Sequence, residues 1–177
     1  MIRGSKMEKA REKESSYVKL ARESLEHFIK NGELLEPVKK SESKAGVFVS
    51  LKKNGELRGC IGTIMPTTDS IEEEIVRNAV AAGTEDSRFP TVKEEELEEI
   101  DYSIDVLFQS EPVTSLDALD VREYGIIVKL GMKRGLLLPK LEGINTIEKQ
   151  LAVALSKAGI DPDDDYSIER FKVSRYY

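Results

Sequence analysis

Cys60 is the only cysteine in the 177 residues, and it stands between two glycines in Leu57-Arg58-Gly59-Cys60-Ile61-Gly62-Thr63. The thiolate is the reactive form of cysteine, and a neighbouring guanidinium favours it. Burial among apolar groups acts the other way and raises the thiol pKa. Cys60 is therefore read as either a chemical centre or a packed core residue. A second group, Glu85-Asp86-Ser87-Arg88-Phe89, adds another arginine and two carboxylates. Two arginines offer bidentate recognition of carboxylate or phosphate. The candidate site is thus Cys60 in a catalytic role, with Arg58, Thr63, Asp86, Arg88 and Phe89 as ligand-binding residues lining a cleft. Its expected occupant is a polar or anionic small molecule or a peptide. A nucleophilic cysteine usually needs a positioned base. The single histidine, His27, lies about 110° from the centre of its helix's apolar stripe at 100° per residue. It reads as a boundary or surface residue, with a base for Cys60 as the alternative.

The elements that must hold these residues begin with Asn54-Gly55, a pair that tolerates positive φ between two runs rich in Val, Ile, Phe and Leu. With those two residues as the turn, Val49 faces Cys60, Leu51 faces Arg58 and Val47 faces Gly62. A hairpin so paired is largely apolar on both faces. Before it, Ser15 or Ser16 caps a helix whose apolar positions Tyr17, Leu20, Ala21, Leu25 and Phe28 recur at helical spacing up to Asn31-Gly32. After it, Asp69-Ser70 with Glu72 and Glu73 predicts a capping box, and Ile71, Ile75, Val76, Ala79 and Ala82 form an apolar face that Gly83 ends. The run Lys93 to Glu99 predicts a short exposed helix, and Asp101 to Gln109 alternates as a strand.

The chain then repeats itself. Gly125-Ile-Ile-Val-Lys-Leu130 matches Gly46-Val-Phe-Val-Ser-Leu51 at an offset of 125 − 46 = 79, and the helix from Asn145-Thr146 to Gly159 matches the earlier one at 147 − 71 = 76. Asp165-Tyr-Ser-Ile-Glu169 echoes Asp101-Tyr-Ser-Ile-Asp105. The falling offset implies that the second copy lacks the loop and acidic helix between Thr84 and Glu99. At offset 79, Arg58-Gly59-Cys60 corresponds to Leu137-Leu138-Pro139. The expectation is an α+β fold made by duplication of a hairpin-helix-strand unit, with halves at residues 45–109 and 125–175.

Leu57-Arg58-Gly59-Cys60-Ile61-Gly62-Thr63 resembles the signature of the AMMECR1 family. Asp86-Ser87-Arg88-Phe89-Pro90 looks like that family's Asp-Pro-Arg-Phe-Pro, and Gly135-Leu136-Leu137-Leu138-Pro139 and Lys157-Ala158-Gly159 follow in the same order. Ser87 in place of Pro and Ile64 in place of Phe are departures. The resemblance runs from about Tyr17 to the C-terminus. It implies a single strongly curved, mostly antiparallel sheet flanked by helices, no settled biochemical activity, and an association with Memo-like and radical-SAM proteins that points to a shared modification pathway.

Composition narrows the remaining classes. A chain of this length buries roughly 70% of its unfolded surface, enough for a core without staples. Net charge is −6, from Lys+Arg 27 against Asp+Glu 33, which disfavours broad nucleic-acid binding. The basic hairpin tips Lys52-Lys53 and Lys133-Arg134 read as edge-protecting charge. One cysteine excludes an internal disulfide and a multi-cysteine zinc site, and it fits a reducing, cytoplasmic setting. No metal or cofactor is expected: Asp161-Pro-Asp-Asp-Asp165 is followed by Tyr166 where an EF-hand loop requires glycine. No run of the sequence reaches transmembrane length. Residues 1–14 read as a leader, and 15–177 as the domain.

Overall fold

The computed structural model describes residues 14–177, so all of the expected leader except Glu14 lies outside the described residues. Glu14 itself belongs to the folded part, its carboxylate 2.6 Å from Arg22. The chain divides into two compact units, the first holding residues up to Val106 together with Ser174–Tyr177, the second Leu107–Val173.

In the first unit, α1 (Ser16–Asn31) starts where the Ser15 hydroxyl accepts the Val18 N–H and stops at Gly32, whose φ of 76° completes the cap. The strands β1 (Val47–Lys53) and β2 (Glu56–Gly62) follow, then α2 (Ile71–Thr84), a 3-10 turn over Glu94–Glu99 and β3 (Ile100–Leu107). Helix α2 is capped by the Ser70 hydroxyl, while Glu73 accepts the N–H of Asp69. It does not end at Gly83. The helix runs one residue further because Gly83 serves close packing: a Cβ there would stand 2.5 Å from the Leu25 side chain of α1. The four-stranded sheet has the order β2-β1-β3-β8, with β8 at Val173–Tyr176. Val47, Val49, Leu51, Ile75, Ala79 and Ile104 make the centre of the core.

The hairpin turn is as expected, with Asn54 at φ 54° and Gly55 at φ 84°. Its register is not. Lys53 pairs with Glu56 and Lys52 with Leu57, but Leu51 then pairs with Gly59 and Ser50 with Cys60, the ladder shifting between Leu51 and Lys52. Arg58 is the extra residue of this bulge. A one-residue slip exchanges the faces of a strand. Cys60 therefore stands opposite Ser50, not Val49, and Gly59 turns to the helix side, where a Cβ would lie 2.1 Å from the Ala82 carbonyl oxygen. Only glycine lets α2 approach so closely.

The second unit contains β4 (Glu111–Val113), β5 (Gly125–Leu130), β6 (Lys133–Leu137), α3 (Ile147–Ala158) and β7 (Ser167–Phe171). Thr146 caps α3, and Gly159 at φ 63° closes it. The sheet order is β4-β7-β5-β6 over a core of Ile126, Val128, Leu137, Leu151, Ala154 and Leu155. Among the described residues two four-stranded sheets are found where a single curved sheet was expected. The offset-79 match of Arg58-Gly59-Cys60 to Leu137-Leu138-Pro139 also fails. The second hairpin turns directly after Leu130, and Lys129↔Arg134 occupies the place of Ser50↔Cys60. Among the described residues, no helix is long and apolar enough to cross a membrane.

Candidate functional site

All six predicted site residues lie in the first unit, and the structure sorts them into three arrangements. Cys60, Asp86 and Arg88 come together. β2 is an edge strand, and the non-hydrogen-bonded pairing of Cys60 with Ser50 turns the Cys60 N–H and C=O outward. The Asp86 carboxylate accepts that N–H at 2.9 Å, and Arg88 Nη2 donates to the Cys60 carbonyl at 3.4 Å. Arg88 also donates to Asp86 through its backbone N–H at 3.1 Å and through Nε and Nη2 at 2.9 and 2.7 Å. Together the two side chains present an acceptor and a donor where a neighbouring strand would present its backbone, which closes this edge to stray pairing. Asp86 is buried, and Arg88 holds its carboxyl well below the usual range against the opposing effect of burial. The Arg88 side chain stays 56% exposed, its guanidinium carbon 5.5 Å from the Phe89 ring centroid.

Arg58 and Thr63 do other work. The Arg58 guanidinium is held bidentately by Glu96, with Nε–Oε1 at 3.1 Å and Nη2–Oε2 at 2.9 Å, and Arg58 holds the Glu96 carboxyl down to about 2. Its charge is thus matched by a carboxylate and not by the thiol. Thr63 donates to Glu74 at 2.6 Å and accepts the Val47 N–H at 3.4 Å and the Asn78 side chain at 3.3 Å. Its hydroxyl is fully used. Glu74 is completely buried and also accepts from the backbone and hydroxyls of Thr67 and Thr68, at 2.8–3.0 Å. Burial pushes its carboxyl up, and the five donors together outweigh that push and leave it ionised more readily than in water.

The thiol lies on the sheet face opposite α2, half-buried. The Ser50 hydroxyl donates to Sγ at 3.3 Å. Ser103 of β3 is the next residue in that row, in register with Ser50. One row along, Phe48 pairs with Asp105, which is 1% exposed and bound by Arg175 of β8 at 2.7 and 3.0 Å. Burial pushes the Cys60 thiol up. Ser50 and Arg88 pull it down, Asp105 and Asp86 add to the rise, and the net direction is up. At neutral pH the site presents a protonated thiol, two hydroxyls and a buried ion pair. His27 hydrogen-bonds Asn31 one turn along α1 at 3.0 Å.

Sequence reasoning missed Ser50, Glu74, Asp105 and Arg175. Asp105 carried a signal, a carboxylate set between the apolar Ile104 and Val106, whereas Arg175 lies 70 positions away and carried none. No group of three or more His, Cys, Asp or Glu placed to hold a metal occurs among the described residues.

The model of the AMMECR1 family matches residues 18–176. A protein of Clostridium acetobutylicum is 51% identical over 181 residues, covering 99% of this chain and 38% of the relative. This chain therefore spans well under half the length of that relative. A protein of Thermotoga maritima is 46% identical over 170 residues, covering 92% of this chain and 98% of its own length. The crystal structure of an uncharacterized protein from Pyrococcus horikoshii shares the fold, with a TM-score of 0.84 and 32% identity over 90% of this chain and 88% of that one.

Proposed function

The chain belongs to the AMMECR1 family, and from that premise we propose that it binds a polar or anionic small molecule, or the end of a peptide, on the sheet face around Cys60. The observation that carries this reading is the Arg88 guanidinium. It is fixed by Asp86 beside the Cys60 backbone, yet the side chain that carries it is more than half exposed, next to a half-buried thiol already hydrogen-bonded by Ser50. Exposed donors fixed in advance beside polar side chains suit ligand recognition, since little ordering is left to be done on binding. The raised thiol favours a neutral donor over a standing nucleophile. Catalysis by Cys60 is the stronger form of the proposal, and it requires a base from the ligand, since Asp105 and Asp86 are held by Arg175 and Arg88.

The second reading, a protein-interaction or scaffold module, draws on the Clostridium acetobutylicum relative, in which the matched region is one part of a longer protein. Memo-like and radical-SAM proteins are the pathway partners we propose, and a reducing cytoplasm the compartment in which Cys60 stays free. The common order of hairpin, helix and strand in both units supports their reading as copies of one ancestral unit.

The test is an amide NMR titration of the full chain with small carboxylates and inorganic phosphate. Binding here shifts Ser50, Cys60, Ser103 and Arg88 together, and Arg88→Lys weakens it by about tenfold, because an ammonium lacks the fork by which Asp86 fixes this group while Nη1 is left for the ligand. Saturable shifts confined to other regions, or none at all, would contradict the proposal and leave the interaction-module reading.

A further inference from the structure

Asp86 and Arg88 close the β2 edge at Cys60 but not beyond it. Hydrogen-bonded and non-hydrogen-bonded pairs alternate along an antiparallel ladder. Thr63 donates its N–H to the Val47 carbonyl at 3.0 Å, so Gly62, which pairs with Phe48, faces outward in the same way as Cys60, which pairs with Ser50. The Gly62 N–H and C=O therefore leave the sheet at its edge, partly exposed, and neither has a partner among the described residues. Only glycine fits here: a Cβ would stand 2.2 Å from Cγ of the Phe48 ring, which lies across this position on the face that carries the thiol. The edge thus presents two backbone pairs roughly 7 Å apart. One is open and bordered by a half-exposed aromatic ring, and the other is already taken by a carboxylate and a guanidinium.

An open N–H and C=O on a strand edge is matched by the backbone of an extended peptide, which adds as a further strand. Such a strand cannot continue past Gly62 toward Cys60, because Asp86 and Arg88 already fill the place of its next pair. It has to end there, and it ends against Arg88, which holds the Cys60 carbonyl on the side nearer Gly62. Direction decides which end arrives. Antiparallel to β2, the peptide runs from Gly62 toward Cys60 and brings a carboxylate to the guanidinium. Parallel addition would bring an ammonium to a cation, and Asp86 could not receive it: Oδ1 takes the N–H and Nε of Arg88, and Oδ2 takes the Cys60 N–H and Arg88 Nη2. On the footing of the binding face proposed above, we infer that its ligand is the free C-terminus of an extended peptide of another protein. The penultimate residue exchanges backbone hydrogen bonds with Gly62 and sets its side chain beside Phe48, since directly opposed residues share a face. The terminal carboxylate takes Nη1 of Arg88, the nitrogen left over by Asp86 and Cys60. A small anion would meet Arg88 alone and leave the Gly62 pair to water.

Amide NMR of the full chain tests it, with N-acetylated pentapeptides ending in Gly-X-Ala, X being Phe, Leu, Ser or Lys, titrated beside acetate and inorganic phosphate. The free-acid peptides should move the Gly62 amide proton downfield and slow its exchange, with Phe and Leu at X binding more tightly than Ser and Lys. Amidating the C-terminus should weaken binding by about tenfold, and so should methylating the nitrogen of X, since each removes one of the contacts described. Both changes lie in the peptide, so the folding of the protein does not enter. Peptides that bind no more tightly than acetate, a Gly62 amide that does not move, or amidated and N-methylated forms that bind as well as the free acid would overturn this inference. Shifts at Cys60 and Arg88 with acetate or phosphate would then still uphold the broader proposal, whereas silence from every probe would overturn both.

Discussion

The two units solve one packing problem and then diverge in what they bury. Each places a hairpin beside a returning strand with a helix across one face, and the order from second hairpin strand to first to returning strand is the same. Each brings a glycine of the second hairpin strand against a helix carbonyl: a Cβ on Gly59 would stand 2.1 Å from the Ala82 oxygen, and one on Gly135 2.1 Å from the Ala154 oxygen. Yet among the described residues the buried polar side chains are Ser24, Ser70, Glu74, Asn78, Asp86, Asp105 and Gln150, and of these only Gln150 lies in the second unit. It occupies the place of Glu74, since 150 − 74 = 76 is the offset that relates Ile147 to Ile71. Glu74 satisfies five donors and fixes the loop after β2. Gln150 donates to the Tyr124 carbonyl at 2.9 Å, and its Oε1 is buried without a partner among the described residues. The frame tolerates either. Only in the first unit has buried charge been used to shape a loop and an edge, and that is the unit carrying Cys60.

The sharpest way to break this comparison is to exchange the chemistry at the matched position. Glu74→Gln keeps the shape but turns one acceptor into a donor facing donors, and should cost roughly 2–4 kcal/mol in urea unfolding. Gln150→Leu removes one hydrogen bond together with an unmet acceptor and should stay within about 1 kcal/mol. Equal costs at the two positions would show that the units do not differ as described. The glycines test what is shared. Gly59→Ala and Gly135→Ala should each cost about 2–3 kcal/mol, because backbone has to move in both, and a tolerated alanine at either site would remove that element of the parallel.

Acid separates the units more gently. Glu96 is held at about 2 against an ordinary 4.5, and Asp86 and Glu74 are likewise held down. Carboxyls with depressed folded values bind fewer protons in the native than in the unfolded chain. The stability they contribute is therefore complete above about pH 5 and drains as pH falls from about 4.5 toward about 2. Native-state hydrogen exchange at stepped pH should show protection falling in β2 and around Glu94–Glu99 before β5 and α3. Simultaneous loss in both units would count against the first unit as the acid-sensitive one.

Much of the frame was legible because it is written locally. Ser15, Ser70 and Thr146 cap helices, Gly32 and Gly159 close them, and Asn54-Gly55 turns the hairpin, each through contacts within a few residues. The Arg58 bulge was not legible: apolar alternation reads equally well on either side of a one-residue slip, and the deciding contact, Gly59 against Ala82, lies in another element. That slip also decided the site. It set Cys60 opposite Ser50, and it left Arg58 to Glu96 instead of the thiol. Asp86 and Arg88 were picked out for their charges, but their bonds to the Cys60 backbone follow from β2 being an edge, which depends on strand order. Arg175 reaches Asp105 through the same long-range order.

The central claim, a protonated thiol on a solvent-reachable face of the first unit, is tested most directly by the rate of Cys60 alkylation in the folded protein as a function of pH. Modification should proceed without unfolding, with a midpoint above that of a free thiol, about 8.5, that moves higher still in Ser50→Ala, where the hydroxyl that would stabilise the thiolate is gone. A rate already at its plateau below pH 8, or no modification until the chain is denatured, would contradict it.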